Sequence, residues 1–139
     1  MYKDRFRHAR EQGYRSGLEV QIANELKALG QEVHYEEYKL KYAQPAKTRI
    51  YTPDFVLPNG LFIETKGRLI TSDRQKHLLI KEQYPDIDLR FIFSNANQRI
   101  SKQSSTTYAM WADKNGFKWA HRHIPKEWVH EQRASPKSS

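Results

Sequence analysis

Cysteine is absent from all 139 residues, which excludes disulfides and thiolate metal sites and fits a reducing compartment. No run of eighteen apolar residues occurs, and the charged opening MYKDRFRHAR lacks the apolar segment of a signal peptide. A soluble, cytoplasmic chain with no membrane attachment is therefore expected. Neither a glycine-rich phosphate loop nor a GxSxG elbow is present. Acidic residues are in deficit, with 16 Asp and Glu against 24 Lys and Arg and a formal charge of +8. That balance favours a polyanionic partner, nucleic acid before an anionic membrane surface, through release of counterions. The length suits one compact domain and is too short for two ordinary ones.

The basic residues are not spread evenly. Residues 1–15 carry Lys3, Arg5, Arg7, Arg10 and Arg15 among few aliphatics, the composition of a basic arm that follows a phosphate backbone. Residues 16–130 form the expected folded domain, and residues 131–139 a disordered tail.

Within the domain, Leu18, Ile22, Leu26 and Leu29 recur at helical spacing and Gly30 can end the turn, predicting a helix over Gly17 to Leu29. VHYEEYKLKY alternates and is rich in β-formers, so it reads as a strand, and QPAKT after it as a linker. RIYTPDFVL and LFIETKG supply two more strands, and LRFIFS a short apolar one. Between them Ser72 and Gln75 form a capping box for a helix ending near Pro85. A further helix is expected over Thr106 to Lys114, stopped by Asn115-Gly116, and then a short strand in FKWAHRH.

The segment YTPDFVLPNGLFIETKG places charges where neighbouring side chains call for burial. Alternation along a strand puts Phe62, Glu64 and Lys66 on one face and Leu61, Ile63 and Thr65 on the other. A three-residue loop, Pro58-Asn59-Gly60, sets Phe55 opposite Ile63 and Asp54 opposite Glu64, whereas a two-residue Asn-Gly loop sets Phe55 against Glu64. Matching of the apolar pairs favours the three-residue loop, with Gly60 free to take positive φ. Two carboxylates on adjacent strands repel unless a cation separates them, and oxygen ligands of this kind suit Mg²⁺, with Mn²⁺ able to substitute. A lysine beside them can orient water or offset phosphate charge, which completes the parts for metal-assisted phosphodiester hydrolysis. A merely decorated strand face is the competing reading.

Pro53-Asp54, the ten-residue step to Glu64 and the following Thr65-Lys66 resemble the PD-(D/E)xK nuclease signature. YRSGLE, YEEYKLKY, YTPDFVLPNGLFIETKG, DRQKHLLIKEQYPDIDLR and IPKEW together, in order from about Arg15 to Trp128, resemble the endonuclease I family of the T-odd phages, which are Holliday-junction resolvases. The resemblance implies an α/β fold with a mixed sheet flanked by helices. It implies also an intertwined, domain-swapped homodimer acting on branched DNA, four-way junctions above all, and a setting in the cytoplasm of an infected host cell. It assigns Asp54, Glu64 and Lys66 to catalysis, Glu19 to the fourth catalytic position, and metal contact to Asp54, Glu64 and the Thr65 carbonyl. Glu19 would serve the partner chain, with residues 44–48 as the exchange linker.

Glu19 has a second explanation, because Ser16-Gly17-Leu18-Glu19 is itself a capping box, and a carboxylate at a helix start can cap, bind metal or do both. His121 and His123 share one side of a strand, but no third ligand lies at short spacing, so they read as surface or DNA-backbone contacts rather than a zinc site. Trp111, Trp119, Trp128, Tyr108 and Phe117 read as core rather than base-stacking platforms. The rivals to a junction-cutting enzyme are a sequence-specific restriction-type nuclease and a junction-binding protein without catalysis.

Overall fold

The computed structural model describes residues 13–44 and 47–132, so the basic arm up to residue 12, the centre of the expected linker and most of the expected tail lie outside the described residues. The elements are α1 (Gly17–Ala28), β1 (Leu40–Gln44), β2 (Lys47–Tyr51), β3 (Phe55–Val56), β4 (Phe62–Lys66), α2 (Thr71–Gln83), β5 (Leu89–Phe93), α3 (Tyr108–Lys114), β6 (Trp119–His121) and α4 (Lys126–His130). The main sheet runs β3-β4-β5-β6 and is mixed. β3 is antiparallel to β4, while β4, β5 and β6 are parallel. β1 and β2 form a separate antiparallel pair.

Alternation through the sheet divides the apolar residues into two cores. Leu89, Phe91 and Phe93 of β5 face α2 and α3, meeting Ile80, Tyr108, Trp111 and Ala112. Ile63 and Ile92 face the other way, against Ile22, Ala23 and Leu26 of α1 and Trp128 and Val129 of α4. Two right-handed parallel crossovers advancing in one direction along a sheet put both helices on the same face, which is where α2 and α3 lie. Each such side chain stabilises the fold by about 1.5–3 kcal/mol when fully buried. The aromatics expected as core are core: Trp111, Phe117, Tyr108 and Trp128 are all buried, and Trp119 is half-buried with its indole N–H donating to Asp113.

The apolar pairing argument is borne out in the β3–β4 turn. Phe55 pairs with Ile63 and Val56 with Phe62, the Leu57 N–H donates to the Leu61 carbonyl at 2.8 Å, and Gly60 sits at φ 93°. The first helix begins where expected, with Ser16 Oγ accepting from the Glu19 N–H at 3.1 Å.

Five local readings need correction. VHYEEYKLKY is not one strand: Tyr35 makes a single bridge to Phe55, Glu36 turns to φ 53°, and regular pairing starts only at Leu40. RIYTPDFVL is split after Tyr51, since Pro53 cannot donate to a ladder, and its halves join different sheets. Lys47 and Thr48, expected in a linker, belong to β2, with Lys47 paired to Gln44 of β1. α2 starts at Thr71 rather than after Ser72, and it is Asp73 that accepts from the Ile70 N–H. IPKEW, left without secondary structure by its pattern, contributes α4.

One charge is buried in the central strand. Arg90 of β5 is 1% exposed, and its guanidinium donates to both carboxylate oxygens of Asp88 at 3.0 and 2.8 Å and to both of Glu131 at 3.0 and 2.8 Å, lying 5.2 Å from the Trp128 ring centre. Glu131, the first residue of the expected tail, is thereby fastened to the sheet. Asn59, in the β3–β4 turn, donates to the Trp128 and Glu131 carbonyls, so the same segment is held at both ends. Removing the cation from such a cluster costs more than a surface pair would, moderated here because the two carboxylates remain partly solvated. Arg90→Met should lower the unfolding free energy by about 2 kcal/mol in urea titration; a loss no larger than that of an exposed arginine would show that the cluster is not a fastening.

Candidate active site

Glu64 lies in β4 and Asp54 immediately before β3, one residue beyond the Phe55–Ile63 pair that the three-residue turn sets. Both are buried, Asp54 at 6% and Glu64 at 5% exposure. α1 brings in Glu19, at 7%, from the other side of the sheet edge. An open cleft of about 360 Å³ collects Glu19, Asp54, Glu64, Thr65 and Lys66 on its floor and Arg15, Lys39 and Lys76 around it. All four expected catalytic residues therefore meet in one place, within one chain.

Each carboxylate has a distinct environment. Asp54 Oδ2 accepts from the Thr65 N–H and from Thr65 Oγ1, both at 2.9 Å. Burial, then the nearby charges of Glu64 and Glu19, push its pKa well above the usual carboxylate range despite those two bonds. Glu64 is raised mainly by burial, against the opposing pull of Lys66, Tyr51 and Lys76. Its Oε1 accepts from Tyr51 Oη at 2.7 Å, and its Oε2 lies 3.4 Å from Lys66 Nζ. Glu19 does not close the expected capping box: Ser16 caps the helix, but the Glu19 carboxylate accepts from the Arg15 N–H at 2.8 Å and from Tyr35 Oη at 2.6 Å.

Lys66 Nζ is placed between Glu64 and Asp73, 3.4 Å from each. Burial alone would lower its pKa, yet the carboxylates of Glu64, Asp73 and Asp54 outweigh that and hold it above the ordinary lysine value. Lys66 is thus an ammonium at neutral pH, a donor and positive charge rather than a base.

Sequence reasoning missed Glu36, whose reading as a strand residue hid its left-handed turn. Its carboxylate and those of Glu19 and Asp54 offer oxygens that all lie within 4.8 Å of one another. Arg15 Nε contacts Glu36 Oε2 at 3.1 Å, so the last basic residue of the expected arm sits at the cleft. Carboxylate oxygens at this spacing, those of Glu19 and Asp54 on buried residues and that of Glu36 on a half-buried one, fit a hard divalent cation such as Mg²⁺ or Mn²⁺. Tyr51 and His77 were also missed; His77 is fully buried edge-on to Tyr51 and Phe91, and burial holds its imidazole neutral. The two histidines considered for zinc are engaged separately, His121 Nδ1 accepting from the Ala96 N–H and His123 meeting Glu25.

The sequence profile of phage endonuclease I matches residues 1–138. The chain belongs to the phage endonuclease I family. Endonuclease I of Escherichia phage T7 is 47% identical over 118 residues, covering 85% of this chain and 79% of the T7 protein. Endodeoxyribonuclease 1 of Enterobacteria phage T3 is 44% identical over 118 residues, covering 85% of this chain and 78% of its own. Membership in the phage endonuclease I family makes the acidic cleft the candidate active site. Among the described residues no helix is long and apolar enough to cross a membrane.

The cluster costs the metal-free fold stability, since charges that repel at this range are relieved only by a cation or a proton. Asp54→Asn keeps an acceptor for Thr65 and removes one charge. It should therefore stabilise the metal-free protein by about 1 kcal/mol, and a divalent cation held at the cluster, which would stabilise the parent by about 2.7 kcal/mol at a hundredfold excess over its dissociation constant, should no longer do so in the variant. Thermal unfolding with and without Mg²⁺ reads both, and an equal response of the two proteins would place the cation elsewhere.

Proposed function

We propose that this protein is a structure-selective DNA endonuclease that resolves four-way junctions and other branched DNA by divalent-metal-dependent phosphodiester hydrolysis. The observation that carries the reading is the convergence of Glu19, Asp54, Glu64 and Lys66 in one open cleft rimmed by Arg15, Lys39 and Lys76. The relatives' names, an endonuclease and an endodeoxyribonuclease, support DNA as the substrate. A protein that only bound junctions would gain nothing from buried carboxylates facing phosphates.

The β3–β4 pair with its neighbouring strands is read as a PD-(D/E)xK nuclease core. Asp54, Glu64 and the Thr65 carbonyl would hold Mg²⁺ or Mn²⁺, with Glu19 and Glu36 within reach. When bound, the cation supplies Lewis acidity to the scissile phosphate. The chain's own residues do the rest. Lys66, kept cationic by Glu64 and Asp73, offsets charge that grows on the phosphate and donates to a water held beside it. Arg15, Lys39 and Lys76 bind flanking phosphates, and Lys3, Arg5, Arg7 and Arg10 extend that grip along the DNA backbone. Backbone contacts carry no base code, so selectivity rests on DNA shape. The place of action is the cytoplasm of an infected host cell.

The working form is an intertwined homodimer. Support comes from the β1–β2 hairpin, in which Gln44 and Lys47 of the expected exchange linker pair with each other and which separates α1 from β3 and β4 in the chain. Opening that hairpin would let α1 make the same contacts on a second chain, delivering Glu19 to the partner's cleft.

With Mg²⁺ the protein should cut four-way junctions of unrelated sequence far faster than linear duplexes of the same arms. Lys66→Ala should keep junction affinity and lose cleavage, since one lysine is a small part of many phosphate contacts. Undiminished cutting in chelator would overturn the mechanism, and reproducible cutting at one sequence in linear duplex would favour a restriction-type enzyme.

The exchange has its own test. Glu19→Ala and Lys66→Ala protomers, each inactive alone, should nick a junction when coexpressed as a mixed dimer, because one composite cleft then carries both lesions and the other neither. A mixed dimer that binds junctions without nicking them would assign all four residues to a single chain.

A further inference from the structure

The hydrogen bonds of the cleft share a pattern that charge alone does not require. Each of its three buried carboxylates is tied through one oxygen to a protein hydroxyl. Tyr35 Oη donates to Glu19 Oε1 at 2.6 Å, Thr65 Oγ1 to Asp54 Oδ2 at 2.9 Å, and Tyr51 Oη to Glu64 Oε1 at 2.7 Å. The added backbone donors fall on the same oxygens, Arg15 N–H on Glu19 Oε1 and Thr65 N–H on Asp54 Oδ2. Among the described residues, Glu19 Oε2 and Asp54 Oδ1 accept no hydrogen bond, and Glu64 Oε2 meets only Lys66.

We propose that Tyr35 and Tyr51 are positioning residues of the metal site, each fixing one oxygen of a glutamate so that the other is presented to the cation. The proposal rests on the metal-dependent reading of the cleft.

The two phenols are themselves held. Tyr51 is 1% exposed at the end of β2, with His77 edge-on at 5.4 Å and Lys76 Nζ 5.6 Å from its ring centre. Tyr35 is bridged through its backbone to Phe55, packs edge-on to Tyr14 at 4.6 Å, and its Oη accepts from the Arg15 N–H at 3.2 Å. A glutamate carboxylate otherwise turns through a broad torsional range at its last bond. Pinning one oxygen removes that freedom before the cation arrives, and partners of ligating carboxylates are worth about tenfold to hundredfold in metal affinity. The arrangement also explains why a tyrosine rather than a phenylalanine stands in each pocket: the rings pack, and the hydroxyls reach the two glutamates.

The test is direct Mn²⁺ binding to the full chain without DNA, by calorimetry and by electron paramagnetic resonance, for the parent, Tyr35→Phe and Tyr51→Phe. Each variant should bind Mn²⁺ about tenfold or more weakly while keeping parental junction affinity in chelator. In cleavage the Mn²⁺ concentration for half-maximal rate should rise by a similar factor, with the rate at saturating Mn²⁺ largely restored. A structural defect alone would lower the plateau instead. If the buried Tyr51→Phe fails to fold, the half-exposed Tyr35→Phe carries the test alone. Parental Mn²⁺ affinity in the folded variants would overturn the positioning role and leave the function standing. Absence of Mn²⁺ binding by the parent would overturn both.

Discussion

Side chains alternate along a strand, so a slip of one residue between β3 and β4 would carry Asp54 away from Glu64 and swap a core residue for a charge along the whole pair. The register that prevents this spans two paired positions, Phe55 with Ile63 and Val56 with Phe62, closed by the Leu57 to Leu61 hydrogen bond. So short a ladder holds because both of its faces are packed. Phe55 and Ile63 are fully buried against α1, and Asn59 in the turn is bonded to the end of α4. The cleft's chemistry thus depends on an apolar match some residues away from any charge.

That same sheet edge must tolerate repulsion. Asp54 and Glu64 both have pKa values raised by burial, so folding costs stability wherever both are ionised, and the cost fades as pH falls through their folded-state values toward those of the unfolded chain. Thr65 on Asp54, and Tyr51 and Lys66 on Glu64, offset part of it with donors on defined oxygens. The arrangement resembles a stability–function compromise, in which a fold carries a locally unfavourable charge set because a ligand resolves it.

Much of the site was legible because its signals are local. The ten-residue step from Asp54 to Glu64, alternation through Glu64 and Lys66, and the apolar matching across Pro58-Asn59-Gly60 are properties of one hairpin. What was not legible depends on distant partners or on a single dihedral. Glu36 enters the cleft only because its backbone turns left-handed, and its N–H donates to the Asp54 carbonyl at 3.0 Å, a contact no alternation pattern encodes. Tyr35 and Tyr51 look like ordinary strand residues until the fold sets their hydroxyls on glutamates 16 and 13 positions away. Glu131 looked like the start of a tail because its partner, Arg90, lies 41 residues earlier. The Ser16 box was half right: the serine caps the helix, and the carboxylate that completes the motif on paper was redirected by a stronger, charge-assisted pair of donors.

The cleft therefore has an acidic floor inside a basic rim, an arrangement that a net charge of +8 does not disclose. The two signs act at different ranges. Exposed cations attract a polyanion over a distance set by salt, whereas buried carboxylates, poorly screened, act only on what reaches the floor. A phosphate brought to that floor without a cation would meet Glu19, Asp54 and Glu64 unopposed except by Lys66. Under the proposed function this geometry would separate binding from chemistry: the rim would hold DNA whether or not the floor is neutralised, and the floor would accept a phosphate only when it is.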